Sequence, residues 1–191
     1  MTDLVLIRHG ETAWNVTGQH TGRTDLGLNE RGEAMARALE PRLSCWTFDR
    51  VLVSPLLRAR QTATLSGYGA RAEVVDDLAE WNYGRAEGRT KAEVRLELPG
   101  WDIWREGAPG GEAPEEIMQR AQAVAHRLAA ETGTIAVFSH GHFLRVLTCA
   151  WLGWPVDCAR SMVLGNTAIS LLTRDDDGPE LSAWNLLPAV D

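Results

Sequence analysis

Cysteine is scarce in this sequence, long apolar runs are missing, and positive charge is in deficit. The three cysteines, Cys45, Cys149 and Cys158, form no Cys-x-x-Cys pair. That pattern argues against a disulfide framework or a structural zinc site, and it fits a reducing compartment. No apolar stretch approaches the ~18 residues of a membrane span. The opening residues Met1-Thr2-Asp3 are acidic and lack the basic flank and cleavage site of a secretory leader. The expected location is therefore cytoplasmic, with no membrane partner. A net charge of −7 and the absence of a basic-aromatic stripe disfavour nucleic acid as a partner. They leave room for a small anion, which responds to the local field of a cleft. There is no internal repeat, low-complexity tract or long linker. At 191 residues, 45% hydrophobic and 24% charged, the chain suits one well-buried domain over 1–191. No cofactor is expected. A homodimer is compatible with everything the sequence shows, and nothing in it reads out the oligomeric state.

What is present alternates. Strands are expected at 3–8, 50–54, 73–75 and 135–139, with later ones at 168–173 and 181–186 nearer the sheet edge. Helices are expected over 30–39 with Asn29 as cap and Pro41 as stop, 57–65, 90–98, 114–131 and 143–152. This order predicts an α/β fold: three layers, α/β/α, around a mostly parallel central sheet. The gap from Val75 to Ile135 lacks a strong strand, and a small helical cap insert over one end of the sheet is expected at about 76–112. The eight tryptophans are mostly packing residues. Trp81, Trp101 and Trp104 fall in the cap and are candidates to line a pocket.

Three expected strands end alike. The first runs Leu4-Val5-Leu6-Ile7 and stops at Arg8-His9-Gly10-Glu11-Thr12. The second stops at Ser54-Pro55, with Arg58 one helical turn on. The third stops at Ser139-His140-Gly141-His142. In a parallel sheet these ends converge on the face where ligands bind. Two arginines and several histidines at one point make an anion site. Its chemistry suits a phosphoryl group, because guanidinium groups match phosphoryl oxygens.

These segments come in series: Arg8–Thr12, Ser54-Pro55-x-x-Arg58-Ala59-x-x-Thr62-Ala63, Glu80-Trp81-Asn82-Tyr83-Gly84 with Glu87-Gly88, and Ser139–His142. Together they resemble the histidine phosphatase superfamily, the phosphoglycerate-mutase-like group, over roughly residues 3–173. The resemblance implies that His9 is the nucleophile and carries a phosphohistidine. It implies that Arg8, Arg58 and His140 hold phosphoryl oxygens. Glu80 is implied as the acid that protonates the leaving alcohol and later activates water. Tyr83 and Gly141 match substrate-side positions, as does the stretch His20-Thr21-Gly22 through its backbone and hydroxyl, and Asn15 and Ser54 match donors on the phosphate side. No metal is implied.

Elementary chemistry agrees. A histidine nucleophile must be neutral at the attacking nitrogen, so its other nitrogen needs a fixed acceptor, and flanking arginines depress its pKa. The requirement for a protonated Glu80 predicts activity that falls on the alkaline side.

Two activities share this chemistry, phosphatase and mutase. The mutases carry a longer insert with a double arginine, and this insert holds Arg105 alone. Lys91 does sit where a mutase lysine falls, so the mutase reading stays open, as does a non-catalytic phospho-ligand-binding member. The segments at 18–25, 104–107 and 140–145 resemble acid phosphatases and sedoheptulose bisphosphatases. In the latter the arginine matching Arg145 contacts substrate. The expected substrate is therefore the phosphate monoester of a small metabolite, sugar bisphosphates included. One departure is Gly111-Glu112-Ala113, where the family places serine at the cap position. Arg60, His126, Glu33, Glu115 and Glu116 read as solvated surface charges, and Arg174–Asp177 reads as an exposed turn rather than a metal site.

Overall fold

The computed structural model describes residues 1–188; the last three positions of the expected domain, 189–191, lie outside the described residues. The first strand, β1 (Thr2–Arg8), is apolar at four consecutive positions because both of its faces are covered. A short helix α1 (Ala13–Thr17) follows, then α2 (Glu30–Arg37) and α3 (Glu40–Leu43). Next come β2 (Arg50–Val53), α4 (Leu57–Leu65) and β3 (Ala72–Val74). The insert holds α5 (Lys91–Glu97) and α6 (Ile103–Glu106), after which come α7 (Pro114–Ala129), β4 (Gly133–Ser139), α8 (Gly141–Leu152), β5 (Ile169–Asp175) and β6 (Gly178–Leu186).

The six strands lie in the order β3-β2-β4-β1-β5-β6. Strands β3, β2, β4 and β1 pair in parallel; β5 is antiparallel to β1, and β6 to β5. Alternate side chains of the parallel strands feed two cores. Leu4, Leu6, Ile135 and Val137 meet Ile117, Val124 and Leu128 of α7 and Phe143 and Leu147 of α8. Val5, Ile7, Ala136 and Phe138 meet Leu39, Leu43, Ala59 and Ala63 on the opposite face. The result is the mostly parallel three-layer α/β architecture expected from the alternation.

Several local expectations change. Pro41 does not end the helical run: α2 stops at Arg37, and Pro41 sits in the first turn of α3. There its missing N–H would be unpartnered in any case. Strands β5 and β6 do lie toward one edge as expected, β5 between β1 and β6 and β6 at the edge itself. Helix α8 begins at Gly141, with His140 in extended conformation as its cap. The insert is only partly helical, two short helices joined by loops and 3-10 turns. At the start of α7, Ala113 offers no capping hydroxyl, yet Glu116 reaches back to accept from the Ala113 N–H at 2.7 Å, which preserves half of a capping box.

The register aligns the ends that matter. Arg8 pairs with Ser139, and Val53 pairs with Phe138. The three motif-bearing strand ends therefore open at one level on one side of the sheet, beneath the insert.

Candidate active site

At the end of β1 the chain turns sharply through His9 and Gly10. A Cβ on Gly10 would stand 2.5 Å from the Gly32 carbonyl oxygen, so only glycine fits. His9 is 3% exposed, and its Nδ1 lies 2.6 Å from the Gly10 carbonyl oxygen. A carbonyl only accepts, so Nδ1 carries the proton and Nε2 carries the lone pair. Burial first, then the charges of Arg58 and Arg8, push the His9 pKa well below its ordinary 6.5. The imidazole is neutral, with the lone pair of Nε2 on the ring edge away from the Gly10 carbonyl. Asn166 Nδ2 steadies this turn by donating to the His9 and Gly10 carbonyls at 3.1 and 3.2 Å.

Arg8 uses Nη1 to donate to the Leu164 carbonyl at 2.5 Å. Its Nε is buried and has no partner among the described residues. A buried, unpaired guanidinium N–H on the residue next to His9 is a ready donor for an anion. Asn15 adds a second donor. It belongs to the capping box of α1, where its Oδ1 accepts from the Thr12 N–H at 3.0 Å and from Asn166 Nδ2 at 3.1 Å. With the oxygen occupied, the Asn15 NH2 group is the free end in the pocket.

Arg58 and His140 lie behind His9 rather than on the pocket wall. Arg58 is fully buried. Its Nε donates to His140 Nδ1 at 3.1 Å, and its Nη atoms donate to the carbonyls of Thr21, Gly22 and Thr24 at 3.0–3.2 Å. The donor at Nδ1 fixes the proton of His140 on Nε2, which donates to Ser54 Oγ at 2.7 Å. Burial, then Arg58, hold the His140 pKa well below 6.5. Its ring centroid is 5.2 Å from that of His9.

Glu80 enters from the insert. Its carboxylate accepts from the backbone N–H groups of Trp81 (2.9 Å), His142 (3.0 Å) and Phe143 (2.8 Å). The last two belong to the first turn of α8, whose N-terminal dipole favours an acidic side chain. Arg120 braces this loop from below, donating to the carbonyls of Asp77, Ala79 and Glu80 and pairing with Glu112 at 2.9 Å. Glu112 also accepts from the Asn82 N–H at 2.7 Å, so it supports the loop and does not line the pocket.

Tyr83 and His142 hydrogen-bond through the Tyr83 hydroxyl and His142 Nδ1. Burial raises the Tyr83 pKa well above 10 and lowers that of His142 well below 6.5, so both are neutral. Arg145 stacks over Trp104 at 4.4 Å and donates to the carbonyls of Ala159 and Arg160; burial lowers its pKa to about 10.

These groups surround a pocket of about 290 Å³ lined by Arg8, His9, Asn15, Thr21, Glu80, Tyr83, Gly141, His142 and Arg145, with Trp14, Gln19 and His20 completing the rim. Of the expected site residues, Gly22, Ser54, Arg58 and His140 stand outside that lining. Lys91 and Arg105 are exposed and not part of that lining, although the Lys91 charge is felt by His20 and His142. Among the described residues no cluster of three or more His, Cys, Asp or Glu side chains could hold a metal, and no helix is long and apolar enough to cross a membrane.

Sequence reasoning missed three residues. Glu87 accepts from the N–H groups of Gly22, Arg23 and Thr24 at 2.8, 3.3 and 3.1 Å, which shapes the loop whose carbonyls grip Arg58. Its place in the Glu-Gly motif was visible, but not its task. Arg120 and Asn166 left no signal, because their partners are backbone carbonyls distant in sequence.

Comparison with known proteins places this geometry. An acid phosphatase of Mycobacterium tuberculosis is 39% identical over 157 residues, which is 80% of this chain and 77% of that protein. A sedoheptulose 1,7-bisphosphatase of Saccharomyces cerevisiae is 35% identical over 185 residues, 80% and 68% of the two chains. A probable phosphoglycerate mutase of Erwinia tasmaniensis is 31% identical over 201 residues, 100% and 94%. The solved structure of the Mycobacterium tuberculosis open reading frame Rv3214 superposes with a TM-score of 0.91 at 31% identity, covering 97% of both chains. The family model for the histidine phosphatase superfamily, branch 1, matches residues 4–187; the chain belongs to that superfamily.

Proposed function

We propose that this protein is a phosphatase that hydrolyses phosphate monoesters of small metabolites, sugar bisphosphates among them, through a phosphohistidine on His9. The observation that carries the reading is the His9 tautomer: Nδ1–H is held by the Gly10 carbonyl at 2.6 Å, leaving a neutral Nε2 beside the unpaired Arg8 Nε. Nε2 attacks phosphorus as the ester P–O bond breaks, and Glu80, which must enter this step protonated, delivers its proton to the departing alcohol. Arg8 and Asn15 donate to the phosphoryl oxygens as their charge redistributes. Water then attacks the phosphohistidine, Glu80 takes the proton, the P–N bond breaks, and phosphate leaves with His9 neutral again. In this reading Arg58 and His140 act from behind, through the field they place on His9. Arg145 supplies positive charge on the leaving-group side.

The relatives named as phosphatases support hydrolysis. One named as a probable mutase keeps transfer to a second acceptor in view. The positions of Lys91 and Arg105 outside the pocket lining favour hydrolysis, since a mutase needs extra cations to retain a doubly phosphorylated intermediate.

The test is phosphate release from sugar mono- and bisphosphates, phosphoglycerates, nucleotides and phenyl phosphate, run on wild type and His9→Ala. Turnover is expected to fall by at least about 10³-fold in the variant, with an acid-labile phosphoryl group trapped on the wild-type chain alone. Turnover surviving in His9→Ala, or none in wild type, sinks the reading. Isomerised phosphoglycerate without phosphate release indicates the mutase.

A further inference from the structure

His20 is one of three imidazoles that line the pocket, with His9 and His142, and the reaction above does not use it. It sits at the rim and is held as firmly as His9. Its backbone N–H and its ring Nδ1 both reach the Arg89 carbonyl, at 2.9 and 2.7 Å. The Gly88 N–H returns to the His20 carbonyl at 2.9 Å, and Gln19 bridges to Thr90 in antiparallel fashion. The ring packs edge-on to Tyr83 and Trp101, with centroids 4.9 and 5.5 Å away. Because the Arg89 carbonyl can only accept, Nδ1 holds the proton and Nε2 is a lone pair. Nε2 has no partner among the described residues, while its ring faces the same cavity as His9 and Glu80. Burial lowers the His20 pKa from 6.5, which keeps the ring neutral.

The polar groups of the pocket therefore divide. Around His9 the free groups are donors, the Arg8 Nε and the Asn15 amide. On the part of the lining contributed by residues 18–21, the His20 Nε2 is a fixed acceptor in the cavity that an ester bound at His9 would share. An acceptor that cannot rotate, between two aromatic rings, is satisfied by a leaving group that carries its own hydroxyl.

We propose that His20 is a specificity residue whose Nε2 accepts a hydrogen bond from a hydroxyl of the leaving group, so that the enzyme prefers phosphate esters of polyols and sugars to esters of alcohols without further hydroxyls. This rests on the phosphatase reading and narrows it.

The experiment compares kcat/KM for glycerol 3-phosphate and n-propyl phosphate, which share a carbon skeleton and differ in hydroxyls. It uses wild type, His20→Phe and His20→Gln, with phenyl phosphate as a reference that offers no leaving-group hydroxyl. Wild type is expected to favour glycerol 3-phosphate over n-propyl phosphate by about five- to tenfold, the size of one net hydrogen bond. His20→Phe is expected to lose that ratio while phenyl phosphate turnover stays within about twofold. His20→Gln, which keeps an acceptor oxygen, is expected to restore part of it. Equal rates on the two esters in wild type, or an unchanged ratio in His20→Phe, overturn the proposal while phenyl phosphate turnover leaves the phosphatase reading standing. If none of the three esters is hydrolysed, both readings fall together.

Discussion

His9 takes its tautomer from a carbonyl one residue away. The Gly10 oxygen fixes the proton on Nδ1, and burial with two guanidinium charges keeps the ring from taking a second. An imidazole with an ordinary pKa of 6.5 loses about tenfold in its neutral form between pH 7.5 and 5.5. In the proposed reaction the neutral form is the nucleophile, and it is lost only as pH falls through the depressed value. So kcat/KM for a fully ionised substrate is expected to show no acid limb centred near 6.5. An initial-rate profile from pH 8 to 5.5, with folding monitored in the same buffers, checks this; a tenfold fall centred on 6.5 counts against it. At this scale much was legible. Arg8 and His9 follow an apolar run, and the need for an acceptor at the far ring nitrogen is general chemistry. What the sequence left hidden was the division of labour between front and back. Arg58 and His140 look like equal partners of Arg8 in the motifs, yet their donors are consumed by Thr21, Gly22, Thr24 and Ser54.

The elements explain why those carbonyls are available. Residues 21–24 form no regular structure, so their N–H groups need partners. Glu87, on the insert, supplies one carboxylate for three of them. The consequence is a relay of shape: Glu87 curls the loop, the loop presents carbonyls, the carbonyls hold Arg58, and Arg58 holds His140. Gly22 is part of the same fit, since a Cβ there would stand 2.5 Å from Glu87 Oε2 and 2.6 Å from the Trp81 carbonyl oxygen. Glu87→Gln turns one accepting oxygen into a donor facing N–H groups. It is expected to cost about 1–3 kcal/mol of stability and on the order of tenfold in kcat/KM. Gly22→Ala is expected to do similar damage, and the double variant should be no worse than the worse single one, because both act on one loop. Additive losses in denaturant midpoint and kcat/KM would remove the relay. The apolar strand runs announced β1, β2 and β4, and Asn29 announced the start of α2, because those signals are local. Helix α1 was equally local, a Thr12–Asn15 capping box, but five residues are too few for a periodic pattern. The partly helical insert was not legible, because its shape depends on backbone bonds such as Glu112 N–H to the Asn82 carbonyl.

Across the whole molecule, the site places a cluster of neutral imidazoles inside the fold. His9, His140 and His142 are each held well below 6.5, burial being the largest cause for all three. The unfolded chain carries the same side chains near their ordinary pKa. Below about pH 6.5 the unfolded state therefore binds protons that the folded state refuses, and stability falls with pH. The contribution is fully present above that value and drains away as pH drops toward the depressed folded values. Each group contributes a limiting slope of about 1.4 kcal/mol per pH unit, so three together approach roughly 4 kcal/mol per pH unit. That is a large share of the 5–15 kcal/mol typical of a domain. Most carboxylates titrate lower, so the interval from pH 7.5 to 5.5 isolates the histidines. Urea unfolding across that interval is expected to give a falling free energy whose slope approaches three protons taken up, with His20, whose pKa burial also lowers, adding up to one more. His142→Phe, which leaves Glu80 its backbone donors, should reduce that uptake by one proton. A stability that is flat to pH 5.5 would mean that the imidazoles are already protonated in the fold. It would also remove the neutral nucleophile on which the proposed chemistry depends.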